Sequence, residues 1–139
     1  MRIVATVDPH VFWQAEMSEP VEQRSALIFD RTEEEFCRKL SKYPSIGFED
    51  DGKQFGGVFI DQHLCMHIAV LPEYQGKWGS LFKQGIEWAF SVSNTLYALV
   101  AKENRKIRRF IAHHNWPMIY ETEFVALHRI TKDTTRILQ

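Results

Sequence analysis

Two cysteines, five prolines and seven glycines are all that 139 residues hold of the types that staple, bend or loosen a chain. Cys37 stands in a charged helical stretch and Cys65 in an apolar run, without the CxxC spacing of a metal site, and two free thiols suit a reducing compartment. No Pro/Gly/Ser-rich linker, internal repeat or low-complexity stretch divides the sequence, so residues 1–139 are read as one domain. No apolar run approaches the roughly 20 residues of a membrane-spanning helix, and residues 1–10 lack the apolar core of a secretory signal. A cytoplasmic protein without a membrane partner is expected. Charge of one sign is missing too: 17 basic against 18 acidic residues leave a net charge of -1. Proteins that grip nucleic-acid phosphates normally carry a basic excess, so nucleic acid is not the expected partner.

What remains is ordinary for a globular chain, 45% hydrophobic and 25% charged. Residues 2–7 alternate and are β-branched, which predicts a strand. Asp8 and Pro9 open a helix through Met17, as cap and first helical residue. Thr32 and Glu35 form a capping box for a second helix, with Phe36, Leu40 and Tyr43 on one face and Pro44 as its stop. Residues 45–71 read as three antiparallel strands, reversing at 50–53 and 61–63, the last (64–71) a central strand apolar on both faces. Leu81, Phe82, Ile86, Ala89 and Phe90 recur at helical spacing, with Trp88 half buried on the same helix. Residues 95–101 form a buried strand, and Asn104 caps a helix through His114. Residues 118–131 are a short strand and a tight turn near Thr122, or one long bent strand. Residues 133–139 are polar and expected to be loose. The order β-α-α-β-β-β-α-β-α-β-β implies an α/β (α+β) mixed sheet with helices on both faces.

Chemistry concentrates at residues 67–80, where a strand enters a loop with two glycines that opens a helix. Such a loop leaves backbone N–H groups free at the positive end of a helix dipole, a phosphate site. Gly76 and Gly79 let backbone approach a ligand, and Lys77 supplies charge. The run Val70-Leu71-Pro72-Glu73-Tyr74-Gln75-Gly76-Lys77-Trp78-Gly79-Ser80 resembles the pyrophosphate-binding motif of the GNAT acyltransferases, V-x-P-x-Y-[RQ]-G-x-G-x-G. Val70, Pro72, Tyr74, Gln75 and Gly76 match; Trp78 and Ser80 replace two glycines. A bulky residue at Trp78 is similar to GNAT-like proteins of bacteriophages. The resemblance continues in Asn104 with its helix and in the Gly56-Gly57 strand pair, covering roughly residues 45–131.

The resemblance implies a mixed-sheet acyltransferase that uses acetyl-CoA or another acyl-CoA. The pyrophosphate would meet Gln75, Gly76, Lys77, Trp78, Gly79 and Ser80, the pantetheine arm the backbone of Ile68 and Val70, and Asn104 the cofactor. A small-molecule or protein amine would attack the thioester directly, with an oxyanion donor near Val70. The family's acid, a Tyr, falls at Ile111, and its base falls near Leu64 or Met66; neither role is filled. His67 is one residue out of phase, pointing to the opposite face. It stands as the candidate catalytic residue beside the reading of a hydrogen-bonded core histidine.

His63 and His67 share a strand face without a third ligand, so no metal is expected. His113 and His114 complement the end of the helix dipole. Arg105, Lys106, Arg108 and Arg109 read equally as a solvated face or as cofactor contacts. Trp13, Phe29 and Tyr43 fall in the acceptor region, with core packing the better account of most. Two other readings stay open: a non-catalytic GNAT-fold phage structural or host-interaction protein, and a GNAT-related nucleobase-modifying enzyme. A homodimer through the last strand is open as well, as is a host-cytoplasm setting if the chain is phage-encoded.

Overall fold

The computed structural model describes residues 1–24 and 28–139. Strand β1 (Arg2–Ala5) leads to helix α1 (Pro9–Met17), then α2 (Glu33–Leu40), β2 (Ser45–Asp50), β3 (Lys53–Ile60) and β4 (Met66–Val70). Helix α3 (Gly79–Val92), β5 (Thr95–Ala101), α4 (Arg105–His113), β6 (Met118–Glu121) and β7 (Val125–Thr131) follow. The expected order of elements is therefore present. No helix among the described residues is long and apolar enough to cross a membrane.

Local chemistry sets the helix starts. The Asp8 side chain accepts the His10 N–H at 3.0 Å. Thr32 and Glu35 exchange side-chain bonds with each other's backbone N–H, both at 3.2 Å. Helix α2 ends at Leu40, earlier than Pro44 would dictate, because Lys42 and Tyr43 turn back onto the carbonyls of Lys39 and Leu40. Tyr43 thus leaves the helical face expected of it and stacks on Phe59 at 6.0 Å.

The strands form two antiparallel blocks, β1-β2-β3-β4 and β5-β7-β6. Phe12, Phe36 and Leu40 of α1 and α2 cover one face of the first block around Phe59. Helices α3 and α4 cover the other face, where Phe82, Ile86 and Ile111 meet Leu96 and Ile130. Helices lie on both faces, as the sequence implies.

Two further expectations need correction. β4 is no fully buried central strand: it runs only over Met66–Val70, and of these residues Val70 alone is buried. Its side away from β3 meets β5 at a single parallel bridge, Cys65 to Tyr97. The apolar composition of residues 64–71 reads the same whether a strand or a cleft flanks them.

The chain end is not loose either. Thr135 is fully buried, donates to the Thr131 carbonyl at 2.6 Å and accepts the Trp116 indole N–H at 3.0 Å. Arg136 bonds the carbonyls of His113 and His114, while Ile137 and Leu138 pack on the core. Thr135→Val keeps the volume and strips the indole of its acceptor, which should cost about 1–3 kcal/mol. A thermal melt reads this as a drop in Tm; an unchanged Tm would show that the tail contributes little.

Candidate functional site

The divided sheet makes the site. The Leu71 N–H donates to the Phe55 carbonyl at 2.8 Å and the Asp61 N–H to the Cys65 carbonyl at 3.0 Å. β4 pairs with β3 in one unbroken antiparallel register, so the backbone of His67 and Ala69 also faces β3. Met66, Ile68 and Val70 therefore aim N–H and C=O at β5. Past the Tyr97 N–H bond to the Leu64 carbonyl, 2.9 Å, β5 has turned away from them. Among the described residues the outward backbone N–H and C=O groups of Ile68 and Val70 have no partner, and a cleft opens beside them. Gly56 brings β3 close enough to set this edge, since a Cβ there would lie 2.2 Å from the Ala69 carbonyl oxygen.

The cleft leads to the loop before α3. A 3-10 turn over Pro72–Tyr74 carries the chain to Gly76, whose φ of 77° is the left-handed region that suits glycine. Lys77 donates back to the Tyr74 carbonyl and Leu81 to that of Trp78. Among the described residues the N–H groups of Gly76, Trp78, Gly79 and Ser80 have no protein acceptor. No side chain caps α3. A Cβ on Gly76 or Gly79 would meet nothing within 4 Å, so the loop front is open, and Lys77 stands exposed beside it. These donors fit a pyrophosphate.

The side chains of the loop do other work. Trp78 turns inward and stacks on Phe48 at 5.4 Å, with Phe82 at 6.0 Å and Phe110 at 6.3 Å. It helps line a cavity of about 10 Å³ with Met66 and Ile68. Gln75 donates to the Glu19 carboxylate, and Lys106 donates to Glu19 at 2.8 Å and to Gln75 at 2.6 Å. The loop is thereby tied to the segment after α1 and to α4. Asn104 accepts the Ile107 N–H at 3.1 Å and caps α4, which its expected cofactor contact would have to share. Of the basic run, Lys106 joins the loop network and Arg108 bonds the Lys102 carbonyl; Arg105 and Arg109 are exposed.

On the opposite face of β4, beneath α1, lies His67. Its Nε2 is 2.9 Å from Asp61 Oδ2, and its ring stacks on Phe59 at 4.6 Å. Asp61 also accepts the N–H groups of His63 and Cys65, at 2.8 and 3.0 Å. Burial pushes the Asp61 carboxyl up, but the bonds from His67, Cys65 and His63 outweigh it and hold the group below its ordinary range. An ionised Asp61 can only accept, so His67 Nε2–H is the donor of this bond. The neighbouring Cys65 thiol is pushed up to about 11 by burial and by Asp61, which makes it a poor nucleophile.

Sequence reasoning missed Asp61, Glu19 and Lys106 as partners of site residues. An Asp opening the reversal before His67 was the one available signal. The metal-type pairing of His63 with His67 does not form, since His63 lies beside Gln62 while His67 goes to Asp61. Ile111 is core, and Phe29 is 46% exposed, so core packing does not account for it.

No family model and no curated protein matches the chain. Solved structures do. A GNAT-family acetyltransferase from Streptococcus pneumoniae is 18% identical with a TM-score of 0.63, over 93% of this chain and 98% of that one. A ribosomal-protein-alanine N-acetyltransferase from Brucella melitensis is 11% identical with a TM-score of 0.69, over 94% and 99%. A spermidine N-acetyltransferase from Vibrio cholerae is 16% identical with a TM-score of 0.65, over 93% and 92%. Cleft, loop and element order together give this chain the fold of the GNAT acetyltransferases.

Proposed function

We propose that the protein is an acyl-CoA-dependent N-acyltransferase that acetylates an amine. One observation carries the reading: the free backbone of Ile68 and Val70 leads directly to the uncapped N-terminus of α3 at Gly76–Ser80. A fold kept only as a scaffold has no use for that continuity. The acetyltransferase names of the structural neighbours support it.

The N–H groups of Gly76, Trp78, Gly79 and Ser80 would hold the pyrophosphate, and the backbone of Ile68 and Val70 the pantetheine arm. Bound there, acetyl-CoA supplies a thioester whose acyl carbon the amine attacks, a C–N bond forming as C–S breaks and the thiolate takes a proton from solvent. The Val70 N–H, aimed into the cleft, donates to the oxygen on which charge develops. His67 is the ring at the cleft rim that would remove the proton the amine nitrogen must lose, and Asp61, bonded to it at 2.9 Å, would steady it. Lys106 offsets the Glu19 carboxylate, which would otherwise repel phosphate from the loop.

Calorimetry with acetyl-CoA tests the site, on the unaltered protein and on Ser80→Glu. A carboxylate in the first turn of α3 suits the helix dipole, so this variant should fold, yet it repels phosphate. Binding should weaken about tenfold or more, the effect of one nearby like charge. No binding by the unaltered protein up to millimolar cofactor would favour the second reading, a GNAT-fold phage protein without catalysis. The inward-turned Trp78 is the observation on that side.

A further inference from the structure

We infer that the acceptor is a small amino carboxylate with an aromatic or large aliphatic side chain, held on the uncovered face of β5 and β7 with its carboxylate at Arg129. The inference rests on the acyltransferase reading. An amine can reach the cleft from one face only. On the other, Leu96 and Ala98 of β5 and Ala126 and Ile130 of β7 are buried beneath α3 and α4.

The alternate residues of these strands point the opposite way. Their register sets Tyr97 beside Arg129 and Leu99 beside Leu127, and β6 adds Tyr120 beside Leu127. Helix α1 lies over β3 and β4 and leaves this face bare: Leu99 is 56% and Tyr120 63% exposed. The apolar row starts at the rim of the cleft. From the Cys65–Tyr97 bridge, His67 is two residues onward along one strand and Leu99 two residues along the other. An amine at His67 therefore has its attached group over Leu99 and Leu127.

Charge selects among amines. Arg129 is exposed and, among the described residues, has no carboxylate partner, whereas Lys102 and Glu121 at the far end of these strands neutralise each other at 2.6 Å. Arg129 lies two positions along β7 from Leu127, about 7 Å, within reach of a carboxylate on the carbon that bears the amine. A face of apolar side chains with an exposed guanidinium repels a polycation and binds an anion with an apolar body.

The test uses phenylalanine, phenylalaninamide and spermidine as acceptors with acetyl-CoA, followed by thiol release. kcat/KM for phenylalanine should exceed the other two about tenfold or more, and Arg129→Gln should erase the preference over the amide by raising KM. Equal rates with phenylalanine and its amide, or a preference for spermidine, would overturn the inference. A second measurement needs no acyl transfer: N-acetylphenylalanine should shift the methyl resonances of Leu99 and Leu127, and less so in Arg129→Gln. Shifts without acetylation of any amine would retain the ligand class and defeat the acyltransferase reading. Turnover of acetyl-CoA with both leucines unmoved would do the reverse. Sedimentation showing a second copy of the chain seated on this face would also overturn the inference.

Discussion

Replacing His67 with alanine is expected to lower kcat/KM for amine acetylation by about 10²–10⁴-fold, the usual yield of a positioned general base. The competing account is packing, because the ring stacks on the buried Phe59 and is bonded to Asp61. His67→Gln separates the two. Glutamine fills much of the same space and can still donate to Asp61, but it has no basic lone pair. If His67 only packs, the glutamine variant recovers the rate along with the Tm. If it accepts the amine proton, the glutamine variant recovers Tm and stays slow. Asp61→Asn should lower kcat without weakening acetyl-CoA binding, because Asp61 acts through the imidazole and lies on the face of β4 opposite α3. Full activity in His67→Ala would remove the residue from the mechanism.

Acid should destabilise this protein well above the pH at which carboxylates titrate. His114, 8% exposed, stacks on Phe82 at 4.2 Å, and its Nδ1 is buried with no hydrogen-bond partner among the described residues. Burial first, then the charges of His113 and Arg136, push the imidazole down from 6.5 to about 4. The unfolded chain takes up a proton below its pKa of 6.5, where the folded chain refuses it. Stability is therefore full above pH 6.5, declines as pH falls and levels off below about 4. By then the loss from this residue reaches about 3 kcal/mol. Urea unfolding from pH 8 to 4 measures it. His114→Leu should flatten most of the decline through this window, and an equally steep decline in that variant would assign the acid sensitivity elsewhere.

The face that His67 occupies could be read from phase alone. One residue out of step with Met66, it had to point away from α3, and it does. Its partner could not be read, since an Asp that opens a turn serves the turn in any fold. Asp61 does serve it, bonding the N–H groups of His63 and Cys65, and takes His67 as well. Nothing near Thr135 in sequence announced the indole that it satisfies, so a polar tail looked loose.

Features that depend on neighbours a few residues away were legible along the chain. The Thr32–Glu35 capping box, the helical periodicity of α3 and the strand reversals at 50–53 and 61–63 are all closed by hydrogen bonds or sterics within one or two turns of chain. Where the sheet divides, which backbone donors face the cleft and which charges meet follow from the folded arrangement alone. Glu19, Gln75 and Lys106 come together over 87 residues of sequence. Their contact depends on strand register and on the path of three separate elements. Long-range pairing of that kind leaves no local periodicity, so a single sequence carries no pattern from which to read it.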